Sequence, residues 1–223
     1  MIIVVIMKQI SSGIFKDENR LYTKNLILGK RVYGEKLVDV KDTQLREWDP
    51  TRSKLAAAIL NGMNINPIKE GSKVLYLGAS TGTTPSHISD IVGPKGIVYC
   101  LEFAERVFRS VVELQKDRKN IAPILVDARK PEEYSWIEEC DIVYVDIAQP
   151  DETEISIRNA KEFLKFNGYM LIAIKSRSID VTKDPKQVYK EEKIKLQESD
   201  FEIVDIINLE PYEKDHAMIV CKK

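Results

Sequence analysis

Histidine is nearly absent from this sequence: two occur in 223 residues, His87 and His216. The three cysteines, Cys100, Cys140 and Cys221, form no C-x-x-C pair. A zinc site of ordinary spacing therefore has too few ligands, and no metal is expected. Each cysteine sits in or beside an apolar run, so all three read as core thiols of a reducing compartment. An excess of charge is also missing, with 34 Lys plus Arg against 35 Asp plus Glu and a formal net charge of -1. Neutralising phosphates supplies most nonspecific nucleic-acid affinity, so autonomous binders usually carry a basic excess. A chain this balanced would need partners to hold most of any nucleic acid it met. Long hydrophobic runs are lacking too. The apolar start, Met1–Met7, is too short to span a bilayer and has no basic n-region or small-residue cleavage site. It reads as a first strand, Ile2–Met7, of a soluble cytoplasmic protein with no membrane partner. Low-complexity tracts and solenoid repeats are absent.

What is present suits one mid-sized α/β domain with a small appendage. Residues 1–50 carry short β-branched runs at Ile2–Met7, Leu21–Thr23, Arg31–Tyr33 and Leu37–Val40, with turns at Asp17-Glu18-Asn19 and Tyr33-Gly34-Glu35. They are expected to form a β-rich domain. From Thr51 the texture changes, and residues 51–223 read as a second domain. Strands are expected at Val74–Leu77, Ile97–Leu101, Ile121–Val126, Ile142–Val145, Tyr169–Ile174, Ile203–Leu209 and Ala217–Cys221. Helices are expected at Arg52–Leu60, Ser86–Val92, Ala104–Lys116, Ile155–Leu164 and Val188–Gln197. Near-continuous apolar strands alternating with amphipathic helices predict a mostly parallel sheet covered on both faces. No helix separates the last two strands, so the last of the seven should be reversed.

The strongest local signal is Val74-Leu75-Tyr76-Leu77-Gly78-Ala79-Ser80-Thr81-Gly82-Thr83-Thr84. A buried strand runs into a turn with two glycines, and a helix follows. Glycine there lets backbone N–H groups approach a ligand closely. Open α/β sheets bind ligands at the carboxyl ends of their strands, where this turn falls. A dinucleotide fingerprint reads G-x-G-x-x-G, whereas this chain has G-x-x-x-G without the tight first pair, so a bound pyrophosphate is less expected. Glu102 and Phe103 close the next strand. A Glu there can accept from both hydroxyls of a ribose, adenosyl or NAD alike. Asp127 and Ala128 close the third, where the carboxylate can accept from an adenine amino group and the Ala128 N–H can donate to a ring nitrogen.

A second set of residues carries chemistry. Asp146 follows a run that should be buried, so its charge needs a partner. Lys175 closes the apolar fifth strand, where burial and nearby positive charge would lower its pKa. Lys54, on the helix before the first strand of the sheet, is the candidate second cation, and His216 opens the last strand. Such a set could deprotonate a ribose hydroxyl, with Lys175 or water taking the proton, Asp146 orienting and Lys54 stabilising the alkoxide. Methyl transfer needs near-collinear alignment more than covalent help. His87, early in a helix, reads as structural. A dinucleotide-dependent oxidoreductase and a noncatalytic scaffold of the same fold remain the alternatives.

Taken together, Val32-Tyr33-Gly34-Glu35, Arg52-Ser53-Lys54-Leu55-Ala56, the Val74–Ala79 run, Asp127-Ala128-Arg129, Asp146-Ile147-Ala148-Gln149-Pro150 and Glu210-Pro211-Tyr212-Glu213-Lys214-Asp215-His216-Ala217 resemble the fibrillarin family, from about Tyr22 to Val220. The chain has no Gly/Arg-rich N-terminal tract, which resembles the archaeal form. The resemblance implies a Rossmann-like S-adenosylmethionine-dependent methyltransferase fold and guided 2′-O-methylation of ribose in rRNA and tRNA. It implies a tetrad on Lys54, Asp146, Lys175 and His216. Implied cofactor contacts fall on Thr83, Thr84, Glu102, Phe103, Asp127, Ala128 and the Asp146-Ile147-Ala148-Gln149 run, beside Gly78 and Ala79 of the glycine turn. The implied partners are a Nop-type scaffold protein, a kink-turn-binding ribosomal-type protein, a box C/D guide RNA and its target RNA.

Overall fold

The computed structural model describes residues 7–223. The strand expected over Ile2–Met7 therefore lies outside the described residues, apart from Met7, which is not in a strand. Five antiparallel strands open the fold: β1 (Lys8–Ser11), β2 (Ile14–Asp17), β3 (Arg20–Lys24), β4 (Leu37–Val40) and β5 (Thr43–Trp48), in the order β1-β2-β3-β5-β4. The turn expected at Asp17-Glu18-Asn19 joins β2 to β3, with Glu18 at φ 50. The strand expected at Arg31–Tyr33 does not form. Instead the Glu35 carboxylate accepts from the Val32 and Tyr33 N–H groups at 3.0 and 2.9 Å. Backbone donors committed to a side chain two or three residues away cannot join a ladder.

Helix and strand then alternate: α1 (Lys54–Leu60), β6 (Lys73–Leu77), α2 (Thr83–Val92), β7 (Ile97–Glu102), α3 (Glu105–Asp117), β8 (Ile121–Leu125), β9 (Cys140–Val145), α4 (Glu152–Phe163) and β10 (Leu164–Lys175). A short helix α5 (Ser176–Ile179) and then α6 (Pro185–Glu198) lead to β11 (Glu202–Asn208) and β12 (His216–Lys222). The sheet order is β11-β12-β10-β9-β6-β7-β8, and β12 is antiparallel to both its neighbours while the other pairs are parallel. The reversed last strand is thus where the hairpin-like link before it places it. Side chains alternate across the sheet, as a strand period of two requires. Met218 and Val220 join one apolar layer with α1 and α2, and Ile219 and Cys221 join the other with α4 and α6. All three cysteines are free and buried. No helix among the described residues is long and apolar enough to cross a membrane.

Helix α2 is the hinge of the architecture. Nine of its residues, Thr84–Val92, are buried, because one face packs on the seven-stranded sheet and the other on β3. Its polar groups must therefore be met by protein. Asp90 does this fully: it accepts from Arg118 and the Leu26 N–H on one oxygen (2.6 and 3.0 Å) and from Arg46 and Thr23 on the other (2.7 Å each). Arg46 also donates to Glu35 at 2.6 Å, so two arginines and two carboxylates balance in a seam their side chains share almost without solvent. His87 lies between them, with Nδ1 2.8 Å from Thr23 Oγ1 and Nε2 2.8 Å from the Tyr33 hydroxyl. Thr23 gives its one proton to Asp90, so Nδ1–H donates to Thr23 and Nε2 accepts from Tyr33. Burial, with Arg46 and Arg118 close by, holds the His87 pKa well below its ordinary value. His87 is a seam residue, stacked on Trp48 at 4.9 Å.

Candidate active site

The β6 strand ends in Gly78 at φ 84, a left-handed conformation that favours glycine. Its N–H and that of Ala79 both donate to the Leu101 carbonyl at 2.9 Å. A Cβ on Gly78 would overlap the Asp146 carbonyl oxygen and come within 2.8 Å of Ile147 Cγ2. Glycine therefore lets the turn after β6 lie directly against the segment after β9. Gly82, also at φ 84, does the same between the start of α2 and Leu114 of α3.

A cleft of about 300 Å³ opens at the carboxyl ends of β6, β7, β8 and β9. Its walls include Gly78, Glu102, Phe103, Asp127, Ala128, Asp146, Ile147, Ala148 and Gln149, all expected there from the sequence. They also include Ser80, Leu101, Val126, Arg129 and Ile155, which the sequence reading missed. Ser80 was within reach, since it lies inside the glycine turn. Ile155 was not, because only the packing of α4 over the strand ends puts it in the wall. Three predicted residues are not in the lining. Ala79 is 2% exposed. Thr83 faces a separate depression beside Arg52 and Leu114. Thr84 is buried, and its hydroxyl donates to Ser53 Oγ at 3.0 Å.

Acidic groups stand at the ends of β7, β8 and β9. Glu102 accepts from the Ser80 N–H on one oxygen and the Ala104 N–H on the other, each at 2.8 Å. Each carboxylate oxygen has two lone pairs, so each keeps one for a ligand hydroxyl. Asp127 is gripped by the Arg129 guanidinium at 2.8 to 3.1 Å, which holds its carboxyl below the usual range. Asp146 lies beyond β9, its N–H on the Leu77 carbonyl at 3.0 Å.

The four expected tetrad residues come together from four elements. Ser53 caps α1, its Oγ accepting from the Ala56 N–H, and so fixes the first turn that carries Lys54. Lys54 Nζ lies 2.7 Å from Asp146 Oδ1, with each side chain about a fifth exposed. Burial works against the Lys54 charge, but Asp146 outweighs it, and the Lys54 pKa is raised. Lys175 and His216 face each other in register on β10 and β12. Among the described residues Lys175 has no carboxylate within ion-pairing distance, unlike Lys54. His216 is 7% exposed, and its Nδ1–H donates to the Lys214 carbonyl at 2.7 Å, leaving Nε2 to accept. Burial lowers the His216 pKa, and Lys54 and Lys175 push it further down, so both cations stand close to this ring.

A sheet of this order with one reversed strand, opening a cleft at the carboxyl ends of its parallel strands, defines the S-adenosylmethionine-dependent methyltransferase fold. The family model described as Fibrillarin matches residues 6–223, and the chain belongs to the fibrillarin family. The fibrillarin-like rRNA/tRNA 2′-O-methyltransferase of Sulfolobus acidocaldarius is 58% identical over 211 residues, which is 94% of this chain and 91% of that protein. The crystal structure of Aeropyrum pernix fibrillarin with natively bound S-adenosyl-L-methionine is 47% identical, covering 97% of this chain and 99% of that one, with a TM-score of 0.86. A fibrillarin/Nop5p complex contains a chain 43% identical, covering 96% of this chain and 99% of that one, with a TM-score of 0.87.

Proposed function

We propose that this chain is an S-adenosylmethionine-dependent 2′-O-methyltransferase of RNA ribose, directed to rRNA and tRNA nucleotides by a box C/D guide. The observation that carries the reading is the meeting of Lys54, Asp146, Lys175 and His216 beside the cleft. The cleft fits the cofactor by its chemistry. Glu102 offers free lone pairs for ribose hydroxyls, and the exposed Phe103 ring and Ile147 offer apolar surface for a base. Asp127 and the Ala128 N–H offer an acceptor and a donor at the adenine edge, with Ala148 and Gln149 completing that wall. Gly78 gives the close backbone approach, and Ala79 holds its turn through Leu101. Thr84 works at one remove, bracing the Ser53 cap beneath Lys54, and Thr83 starts the helix behind it. When bound, S-adenosylmethionine supplies an electrophilic methyl group.

The tetrad residues divide the work by their partners. Lys54, held charged by Asp146, stabilises the alkoxide that forms as the 2′-hydroxyl loses its proton. Lys175, free of a carboxylate, takes that proton directly or through water. His216 presents Nε2 as an acceptor and positions the ribose. Asp146 fixes Lys54 and, with it, the line of attack.

Residues 51–223 are the unit that carries the transfer chemistry, and residues 1–50 the β-rich unit, whose described strand β3 backs α2. The balanced charge leaves RNA capture to others. A Nop-type scaffold, a kink-turn-binding ribosomal-type protein and the guide RNA would supply it in a cytoplasmic ribonucleoprotein. The reading is supported by a relative that is found in complex with Nop5p. The test is transfer of labelled methyl to a guide-paired RNA in the reconstituted complex, beside a target with one 2′-deoxy nucleotide at the chosen site. Label in the ribose target alone is expected. Equal label in both would mean base methylation and would end the ribose reading.

A further inference from the structure

Glu152 opens α4, just beyond the Asp146–Pro150 segment that walls the site. The residue is 0% exposed, and neither carboxyl oxygen has a hydrogen-bond partner. The other buried acids nearby are treated differently. Asp90 accepts from four donors, and Glu35 and Glu102 each accept from backbone N–H groups. Glu152 also makes no ion pair with any described lysine or arginine, while its neighbour on the chain surface, Glu154, pairs with Lys195 at 2.9 Å.

Four groups face it. Lys54 comes from α1, Asp146 from beyond β9, Glu192 from α6, and the Lys175 backbone N–H, outside hydrogen-bonding geometry, from the end of β10. Two of the four are carboxylates, and the one cation among them is already committed to Asp146. Glu192 is itself 1% exposed with one oxygen unpartnered, and its other oxygen meets Lys195 at 3.0 Å. A helix N-terminus favours an anion, but an unpaired buried carboxylate between two others loses more by desolvation and repulsion. Burial first, then Asp146 and Glu192, push its pKa well up.

We propose that Glu152 is a positioning residue held as a neutral carboxylic acid, so that Asp146 stays the one carboxylate in contact with Lys54, with Glu213 acting on that lysine from farther off. This rests on the ribose-methylation reading. An ionised Glu152 would add a second anion behind Asp146. It would draw Lys54 out of its pairing geometry, tighten the hold of both lysines on their protons, and oppose the negative oxygen that forms on the ribose. Kept neutral, it fills the space under the site and adds no further anion to Asp146 and Glu213.

The test uses the full chain. The infrared difference between wild type and Glu152→Gln at neutral pH should show the carbonyl stretch of a protonated carboxylic acid, lost in the variant. A carboxylate band in its place would overturn the proposal. In the reconstituted complex, Glu152→Ala should lower kcat roughly tenfold, about 1.4 kcal/mol of barrier, with KM for S-adenosylmethionine unchanged. Glu152→Gln, neutral and of the same shape, should recover most of that loss. A Gln variant as impaired as the Ala variant would also overturn it. Should the alanine variant fail to fold, the infrared band and the Gln kinetics still decide. A wild-type complex that transfers no methyl would refute the ribose reading, while the infrared band would still report the state of Glu152.

Discussion

Two charge clusters in this molecule use the same kinds of residue to opposite ends. In the seam, Arg46, Glu35, Asp90 and Arg118 are almost wholly removed from solvent and every carboxylate oxygen of Asp90 is filled twice. At the cleft, Lys54 and Asp146 are a single pair about a fifth exposed, beside a lysine with no ion-pair partner among the described residues. A buried network whose Asp90 oxygens are all filled has no acceptor there for a ligand, although Arg118 Nη2 keeps an unused donor, and it holds two sheets together. An unsaturated, half-open one is poor for stability and has lone pairs and protons to spare. The lesson is that filled acceptors, more than charge, separate the structural cluster from the one proposed to react.

The comparison breaks if the seam can be opened cheaply. Asp90→Ala would leave Arg118 buried without a counter-charge and Arg46 with Glu35 alone, a loss of about 3–5 kcal/mol. At about 2–4 °C per kcal/mol for a chain of this size, calorimetry should find Tm lower by roughly 6–20 °C. A shift within error would mean that the seam is not what joins the sheets. The converse variant, Asp146→Asn, should cost about 10²–10⁴-fold in the proposed methyl transfer. Its Tm should move by less than about 4 °C, because an ion pair of this exposure contributes about 1 kcal/mol or less. Loss of stability on that scale without loss of turnover would reverse the assignment of the two clusters.

A finer test is acid. The folded state keeps His87 neutral, whereas the unfolded chain binds a proton there at its ordinary pKa. The unfolded state thus holds more protons below about pH 6.5, and stability falls as pH drops, by about 1.4 kcal/mol per unit for one such group. Above that pH the contribution is complete. Urea unfolding at a series of pH values should show this slope, and His87→Gln should flatten it; His216, lowered more gently, should leave a smaller residue. A slope unchanged in the His87 variant would place the acid sensitivity elsewhere.

The seven strands were legible because each buried strand is an apolar run and each helix between them is amphipathic. The N-terminal sheet was harder. Strand β5, Thr43–Trp48, carries Gln44, Arg46 and Glu47 and looks like surface, yet Arg46 is 0% exposed. A buried arginine reads as solvated until its partners, forty residues or more away on α2, are in place. Helix α2 begins at Thr83, three residues earlier than expected, because Pro85 is compatible with a first turn. At the site, strand-end acids were visible one at a time, but the pairing of Lys54 with Asp146 spans 92 positions and no local pattern reports it. Glu152 gave no signal at all, since a Glu at a helix start is ordinary until its burial is known.

The Lys54–Asp146–His216 arrangement also sets a schedule. Lys54 comes from the first helix and His216 from the last strand, which must slot between β10 and β11. During synthesis the first cation emerges early, but the ring that faces Lys175 is made only after β10 and β11 have both been joined. A nascent or truncated chain therefore carries the cofactor cleft without its full charge set. Competence waits for β12.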